Sequence, residues 1–239
     1  HLTTTYAFTG FGEKRCYDYT RSGNPTRDAL AEAVAELEGG VGAVVTASGM
    51  AAESLVAHLL KTDDLLVAPH DCYGGTYRLF AALARSGALR VEFVDQTNAA
   101  ALERAIALGP KLVWVETPSN PLLRIVDIAA LAKRAHDAGA QLLVDNTFLS
   151  PGWQRPLALG ADLVLHSTTK YLNGHSDVVG GAVVAKTAAL HEQLTWWANC
   201  IGVTGAPFDS YLTLRGLRTL YARLRVHAEN ASAVADLLS

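Results

Sequence analysis

The sequence predicts an α/β fold, a mostly parallel seven-stranded sheet sandwiched by helices. Two observations lead there. Short apolar runs alternate with helical periods along most of the chain, which is the signature of strand–helix–strand units. Runs such as Leu65-Leu66-Val67, Leu112-Val113-Trp114-Val115 and Leu142-Leu143-Val144 are apolar without alternation, so both faces of each strand are expected to be buried.

Taken in order, the first 23 residues are polar, aromatic and punctuated by glycine, and read as an extended arm. Pro25 opens a helix that is apolar at Leu30, Ala33, Val34 and Leu37 and closes at Gly39-Gly40, with proline at the start and glycine past the end. Strands are expected at 42–46, 64–68, 91–95, 111–116, 141–145, 162–166 and 179–185. Helices fit between them at 49–60, 75–86, 99–107, 127–138 and 187–197. From 208 an unbroken helical pattern runs to Ser239 and reads as a connector that packs on something further along.

The composition narrows the function classes. With 239 residues, 50% hydrophobic and 18% charged, the chain is neither disordered nor collagen-like. A net charge of −3, from 20 basic and 23 acidic residues, gives no field that gathers nucleic acid. The longest apolar stretches, 41–47 and 54–60, fall far short of the roughly 20 residues that a membrane span needs. No basic segment leads into an apolar run, so no signal peptide is expected, and the start at His1 suggests that an earlier segment precedes it. Cys16, Cys72 and Cys200 are widely spaced and form no CxxC pair, which favours free thiols in a reducing, cytoplasmic compartment. The expected partners are small molecules or other protein chains.

In a parallel sheet ligands bind outside the carboxyl ends of the strands, so the residues just after each strand matter most. Of six lysines, five read as solvated surface charges. Lys170 differs, because it follows a buried strand on the ligand side, where a lysine suits a Schiff-base nucleophile or, more plainly, caps a loop. Asp145 ends an apolar strand, where a carboxylate is costly unless paired. A pyridinium nitrogen is one such partner, and a Lys plus Asp pair is what pyridoxal 5′-phosphate (PLP) asks of a protein; a loop or helix cap is the alternative. Thr46-Ala-Ser-Gly-Met-Ala-Ala leads from a strand into a helix, so the amides of Gly49 and Met50 suit a phosphate, with Ser167 and Thr169 as added hydroxyl donors. An ordinary strand-to-helix turn has the same pattern. Tyr73 is placed to stack on a planar ligand or to sit at the rim, and Arg78, one helical turn on, to bind a carboxylate or to lie on the surface. No GxGxxG, P-loop or GxSxG pattern occurs, His166 and His175 lack metal-ligand spacing, and His175-Ser176-Asp177 are merely adjacent. Trp196 and Trp197 read as core or interface.

These residues sit in stretches that resemble the gamma-subfamily of PLP enzymes of cysteine and methionine metabolism. The stretches are Tyr-Thr-Arg-Ser-Gly-Asn-Pro-Thr (19–26), Ser-Gly-Met-Ala (48–51) and Asp-Cys-Tyr-Gly-Gly-Thr-Tyr-Arg-Leu (71–79). They continue with Glu-Thr-Pro-Ser-Asn-Pro (116–121), Val-Asp-Asn-Thr-Phe (144–148) and His-Ser-Thr-Thr-Lys-Tyr-Leu-Asn-Gly-His-Ser-Asp (166–177). Pro-Phe-Asp-Ser-Tyr (207–211) and Leu-Arg-Gly-Leu-Arg-Thr-Leu (214–220) complete the set, in order along the whole chain. Within the family, 68–75 and 196–205 look most like the bacterial cystathionine gamma-synthase branch.

The resemblance implies a fold type I PLP-dependent transferase, similar to aspartate aminotransferase. It assigns Lys170 to the cofactor Schiff base, Asp145 to the pyridine nitrogen, and Tyr73 to ring stacking and acid–base work. Gly49, Met50, Ser167 and Thr169 would hold the phosphate, Thr147 would join the cofactor site, and Asn120 would lie near the phenolic oxygen and the substrate carboxylate, with Arg78 as a further substrate residue. Tyr19 and Arg21 would reach the cofactor phosphate of a neighbouring subunit, in a homotetramer built as a dimer of dimers with shared active sites. The chain then divides into an arm (1–24), a large PLP-binding domain (25–222) and the start of a truncated C-terminal domain (223–239). The implied reaction is gamma-replacement, O-succinyl-L-homoserine plus L-cysteine giving L-cystathionine and succinate. A cystathionine gamma-lyase or an O-acyl-homoserine sulfhydrylase on the same scaffold is the alternative. Ser22 stands where some synthases carry a second arginine, which bears on the choice between succinyl and acetyl esters.

Overall fold

Alternating side chains along five central strands point to opposite faces, and each face meets its own layer of helices. A computed structural model describes residues 1–239. Seven strands form one sheet: β1 (Gly42–Thr46), β2 (Leu65–Pro69), β3 (Arg90–Val94), β4 (Leu112–Glu116), β5 (Gln141–Asp145), β6 (Leu163–Ser167) and β7 (Gly181–Ala185), in the spatial order β1-β7-β6-β5-β4-β2-β3. β2 to β6 pair in parallel, and β7 runs antiparallel to both β1 and β6. The α/β class and the mostly parallel sheet are therefore as the sequence predicts. Every residue of β2, β4 and β7 is buried, as unbroken apolar runs require, whereas the edge strand β3 is partly exposed.

One face carries α1 (Pro25–Glu38), α4 (Ala99–Ile106) and α5 (Ile128–Asp137), whose Leu30, Val34, Leu102, Leu131 and Ala135 meet Val67, Val113, Leu142, Val144 and Val164. The other carries α2 (Gly49–Ala57), α3 (Gly74–Arg85) and α7 (Ala188–Ile201), whose Leu55, Val56, Phe80, Leu190 and Leu194 meet Leu66, Trp114, Leu143, Leu163 and Val183. Helix ends are fixed by local chemistry. The Asn24 side chain accepts from the amides of Thr26 and Arg27 at the start of α1, and Gly39, at φ 77°, takes the left-handed conformation that ends it. Ser48, Asn98, Asp127 and Thr187 cap α2, α4, α5 and α7 in the same way.

Three details differ from expectation. The helical pattern after 208 is two helices, α8 (Pro207–Leu217) and α9 (Leu220–Leu238), broken at Arg218 and Thr219. The break lets α8 lie along α1, with Gly216 closely apposed to the Asn173 carbonyl, while Arg223 of α9 bonds back to the carbonyls of Tyr171 and Gly216. A four-residue helix, α6 (Ser150–Trp153), and a 3-10 turn at Pro156–Leu159 follow β5, both too short to leave a period in the sequence. The N-terminal arm folds back through a Thr5–Tyr19 bridge. Trp196 is exposed and stands edge-on to Trp197, so it belongs to the surface of α7 and not to the core. No helix is long and apolar enough to cross a membrane.

Candidate active site

The carboxyl ends of β4, β5 and β6 lie side by side, with Glu116 opposite Asp145 and Asp145 opposite Leu165. Chain topology thus delivers residues from 46 to 170 to one edge of the sheet. Asp145 is buried, and its Oδ1 accepts from the Thr147 amide at 3.0 Å. The Thr147 hydroxyl in turn accepts from the Ser167 amide at 2.8 Å, lacing β5 to the end of β6, three residues before Lys170. Lys170 sits in the turn that follows, its amide held by the Ser167 carbonyl and its own carbonyl by Gly174, with the side chain exposed and in no ion pair.

The next wall is the start of α2. Ser48 caps it by accepting from the Ala51 amide at 3.0 Å, which leaves the Gly49 and Met50 amides free at a positive helix end. Gly49 is required by space: a β carbon there would lie 2.9 Å from Ser167 Cβ, so the α2 amides and the Ser167 hydroxyl face one small cradle. Thr169 is partly committed elsewhere, since its hydroxyl accepts from the Gly180 amide at 3.1 Å.

Tyr73 and Asn120 come from two other loops and meet at one carboxylate. The Tyr73 amide donates to Glu116 Oε2 at 2.8 Å, and the Asn120 amide to Glu116 Oε1 at 2.7 Å. The Tyr73 ring is half exposed and approaches Met50; a β carbon on Gly75 would come within 2.6 Å of the ring and 2.7 Å of the Met50 sulfur. Arg78 lies exposed on α3, one turn past Tyr73. Tyr19 and Arg21 are not part of this cluster. Arg21 donates to the Asn199 carbonyl and side chain, both at 2.6 Å, and its guanidinium lies 5.6 Å over the Tyr19 ring. His175 and Asp177 each bond to Asn173, so the adjacent His-Ser-Asp makes no triad.

Two residues that sequence reasoning gave no role are central to the electrostatics. Burial, and then the neighbouring Asp145 charge, push Glu116 up to about 7 and Glu53 up to about 8. Burial also raises Asp145, against the pull of its Thr147 hydrogen bonds. Glu116 had the same signal as Asp145, a carboxylate ending an apolar strand. Glu53, inside the apolar turn of α2, had none. Glu53 Oε1 accepts from the Thr76 hydroxyl at 2.9 Å, while Oε2 is fully buried with no partner. Three acidic groups of raised pKa around one site fit a cationic ring nitrogen, and the Gly49–Ser167 cradle fits a phosphate.

A family model for Cys/Met metabolism PLP-dependent enzymes matches residues 1–239. The chain belongs to this family. Its cofactor is pyridoxal 5′-phosphate, and the cradle, the buried carboxylates and Lys170 fit that group. The chain is 62% identical, over 239 residues, to the cystathionine gamma-synthase of Escherichia coli (strain K12), covering all of this chain and 62% of that protein. It is 46% identical over 238 residues to the cystathionine gamma-lyase of Homo sapiens, covering 99% of this chain and 59% of that protein. The solved cystathionine gamma-synthase of Xanthomonas oryzae pv. oryzae, in complex with aminoacrylate and cysteine, superposes with a TM-score of 0.99 at 62% identity, covering 100% of this chain and 62% of that one. The chain thus spans about three-fifths of the length of these relatives.

Proposed function

We propose that the protein is a cystathionine gamma-synthase, replacing the acyl group of O-succinyl-L-homoserine with the sulfur of L-cysteine to release succinate. The observation that carries this reading is the gathering of Asp145, Ser167 and Lys170 at one sheet edge, laced through Thr147, in a chain of the PLP family. The 62% identity to a gamma-synthase, against 46% to a gamma-lyase, favours synthesis over cleavage.

In this reading Lys170 holds the cofactor covalently, Gly49, Met50, Ser167 and Thr169 bind its phosphate, and Tyr73 stacks on its ring. Thr147 fixes the Asp145 carboxylate, which keeps the pyridine nitrogen protonated. The bound cofactor supplies an electron sink for charge left on the substrate α and β carbons. The Lys170 amine would take the proton from Cα and one from Cβ as the γ C–O bond breaks and succinate leaves, and would return protons to both carbons once the new bond has formed. Tyr73 would assist these transfers, and the cysteine thiol would give up its proton as its sulfur bonds to Cγ. Asn120 and Arg78 hold substrate carboxylates. Residues 25–222 form the PLP-binding domain and 223–239 begin a second domain. Tyr19 and Arg21 on the 1–24 arm reach a neighbouring subunit's cofactor phosphate in a cytoplasmic homotetramer, a dimer of dimers.

Purified protein should be yellow, and borohydride should fix the cofactor to Lys170, a modification lost in Lys170→Ala. Given O-succinyl-L-homoserine and cysteine, the protein should form cystathionine. Cleavage of cystathionine without its formation makes the enzyme a lyase, replacement by inorganic sulfide alone makes it a sulfhydrylase, and a colourless protein that takes up no PLP defeats the reading altogether.

A further inference from the structure

Glu116 does not face solvent, makes no ion pair and caps no helix, yet both its oxygens are used. It is 5% exposed at the end of β4, and it bonds the backbones of two loops that leave different strands. Oε2 takes the Tyr73 amide at 2.8 Å, in the loop between β2 and α3, and Oε1 takes the Asn120 amide at 2.7 Å, in the loop between β4 and α5. The same two loops are tied a second time at their outer ends. Ser119 Oγ donates to Asp71 Oδ2 at 2.7 Å, and Arg124 lies 3.6 Å from Asp71 and 3.0 Å from Asp95. The outer tie is partly exposed, whereas the inner one is buried, where an N–H···O bond is stronger than it is in water.

We propose that Glu116 is a positioning residue for the reaction, setting the distance between Tyr73 on the ring side of the site and Asn120 on the substrate side. It would act through those two loops, since both its oxygens are taken by their amides. Two N–H donors need two acceptors, which a carboxylate supplies and a carboxamide does not. A glutamine of the same shape would turn an NH₂ group toward one of the two amides, so either Tyr73 or Asn120 must move. Misplacement of about 1 Å at a reacting centre costs up to about a hundredfold in rate. The inference rests on the roles proposed above for Tyr73 and Asn120.

The test is the Glu116→Gln holoenzyme. It should still bind PLP at Lys170, shown by borohydride fixation, but with an altered visible circular dichroism band, because the stacked aromatic has shifted. Turnover per bound cofactor should fall about tenfold to a hundredfold, mainly in kcat. Wild-type dichroism and wild-type kcat per bound cofactor overturn the proposal, whatever happens to Tm, because a merely structural carboxylate would move only Tm. Should Glu116→Gln yield no holoenzyme, Glu116→Asp keeps both acceptors on a shorter stem. That variant should then retain PLP and lose part of kcat, and wild-type values in it overturn the proposal. A wild-type protein that binds no PLP defeats the functional reading instead, and one that only cleaves cystathionine leaves the same comparison to be made with cystathionine as substrate.

Discussion

At Glu53 a carboxylate only 3% exposed keeps one oxygen on the Thr76 hydroxyl and the other on nothing. Burial raises it from an ordinary value of 4.5 to about 8, and Glu116 from the same value to about 7. The folded chain therefore holds these protons more tightly than the unfolded chain does. That stabilisation is fully present below the unfolded value and is lost as pH rises through the folded ones. The cofactor-free protein should accordingly lose thermal stability as pH is raised from 4.5 through about 8, and Glu53→Gln should flatten the slope. Melting curves across that range check it; an equal slope in both proteins removes Glu53 as its source. Asp145, Lys170 and Tyr73 were legible as candidates because each stands at the carboxyl end of a strand or within four residues after it. Glu53 was not, because a helix interior gives no local sign of what its far side meets.

At the scale of elements, strand and helix periods placed all seven strands to within a residue or two, and the caps explain where α1, α2 and α7 begin. The turn between α8 and α9 escaped because Leu214 to Leu220 keeps helical spacing right through it. What breaks the helix is tertiary: α8 must lie against α1, and Gly216 must let the Asn173 carbonyl approach its backbone. Gly216→Ala tests this. Helix propensity favours alanine by about 1 kcal/mol, but a methyl group would run into the Asn173 carbonyl, which is backbone and cannot swing aside. Overpacking of this kind costs about 1–3 kcal/mol, so Tm should fall. A rise in Tm would mean that the loop yields freely.

Across the whole molecule, one buried network ties the first helix to the strands that present the site. Glu38, at the end of α1, bonds His166 of β6 at 2.6 Å and the Asn146 side chain at 2.8 Å, and Asn146 is tied to Gln154, which reaches the Thr117 carbonyl at 3.0 Å. Glu38 and His166 are each about 1% exposed or less, so removing one partner leaves the other stranded. Glu38→Ala should cost about 3–5 kcal/mol, read as a lowered urea midpoint at unchanged m value. An unchanged midpoint would show the pair to be dispensable.

The sequence by itself determined the α/β class, the seven strands and the starts of the capped helices, because apolar runs, glycines and caps act locally. Only the tertiary structure decided which carboxylates share the site, that Glu116 joins the Tyr73 and Asn120 loops, and that the last helical stretch is two helices. Those outcomes depend on residues far apart in sequence meeting in a low-dielectric interior, where a charge or a missing β carbon matters through neighbours that no local pattern records.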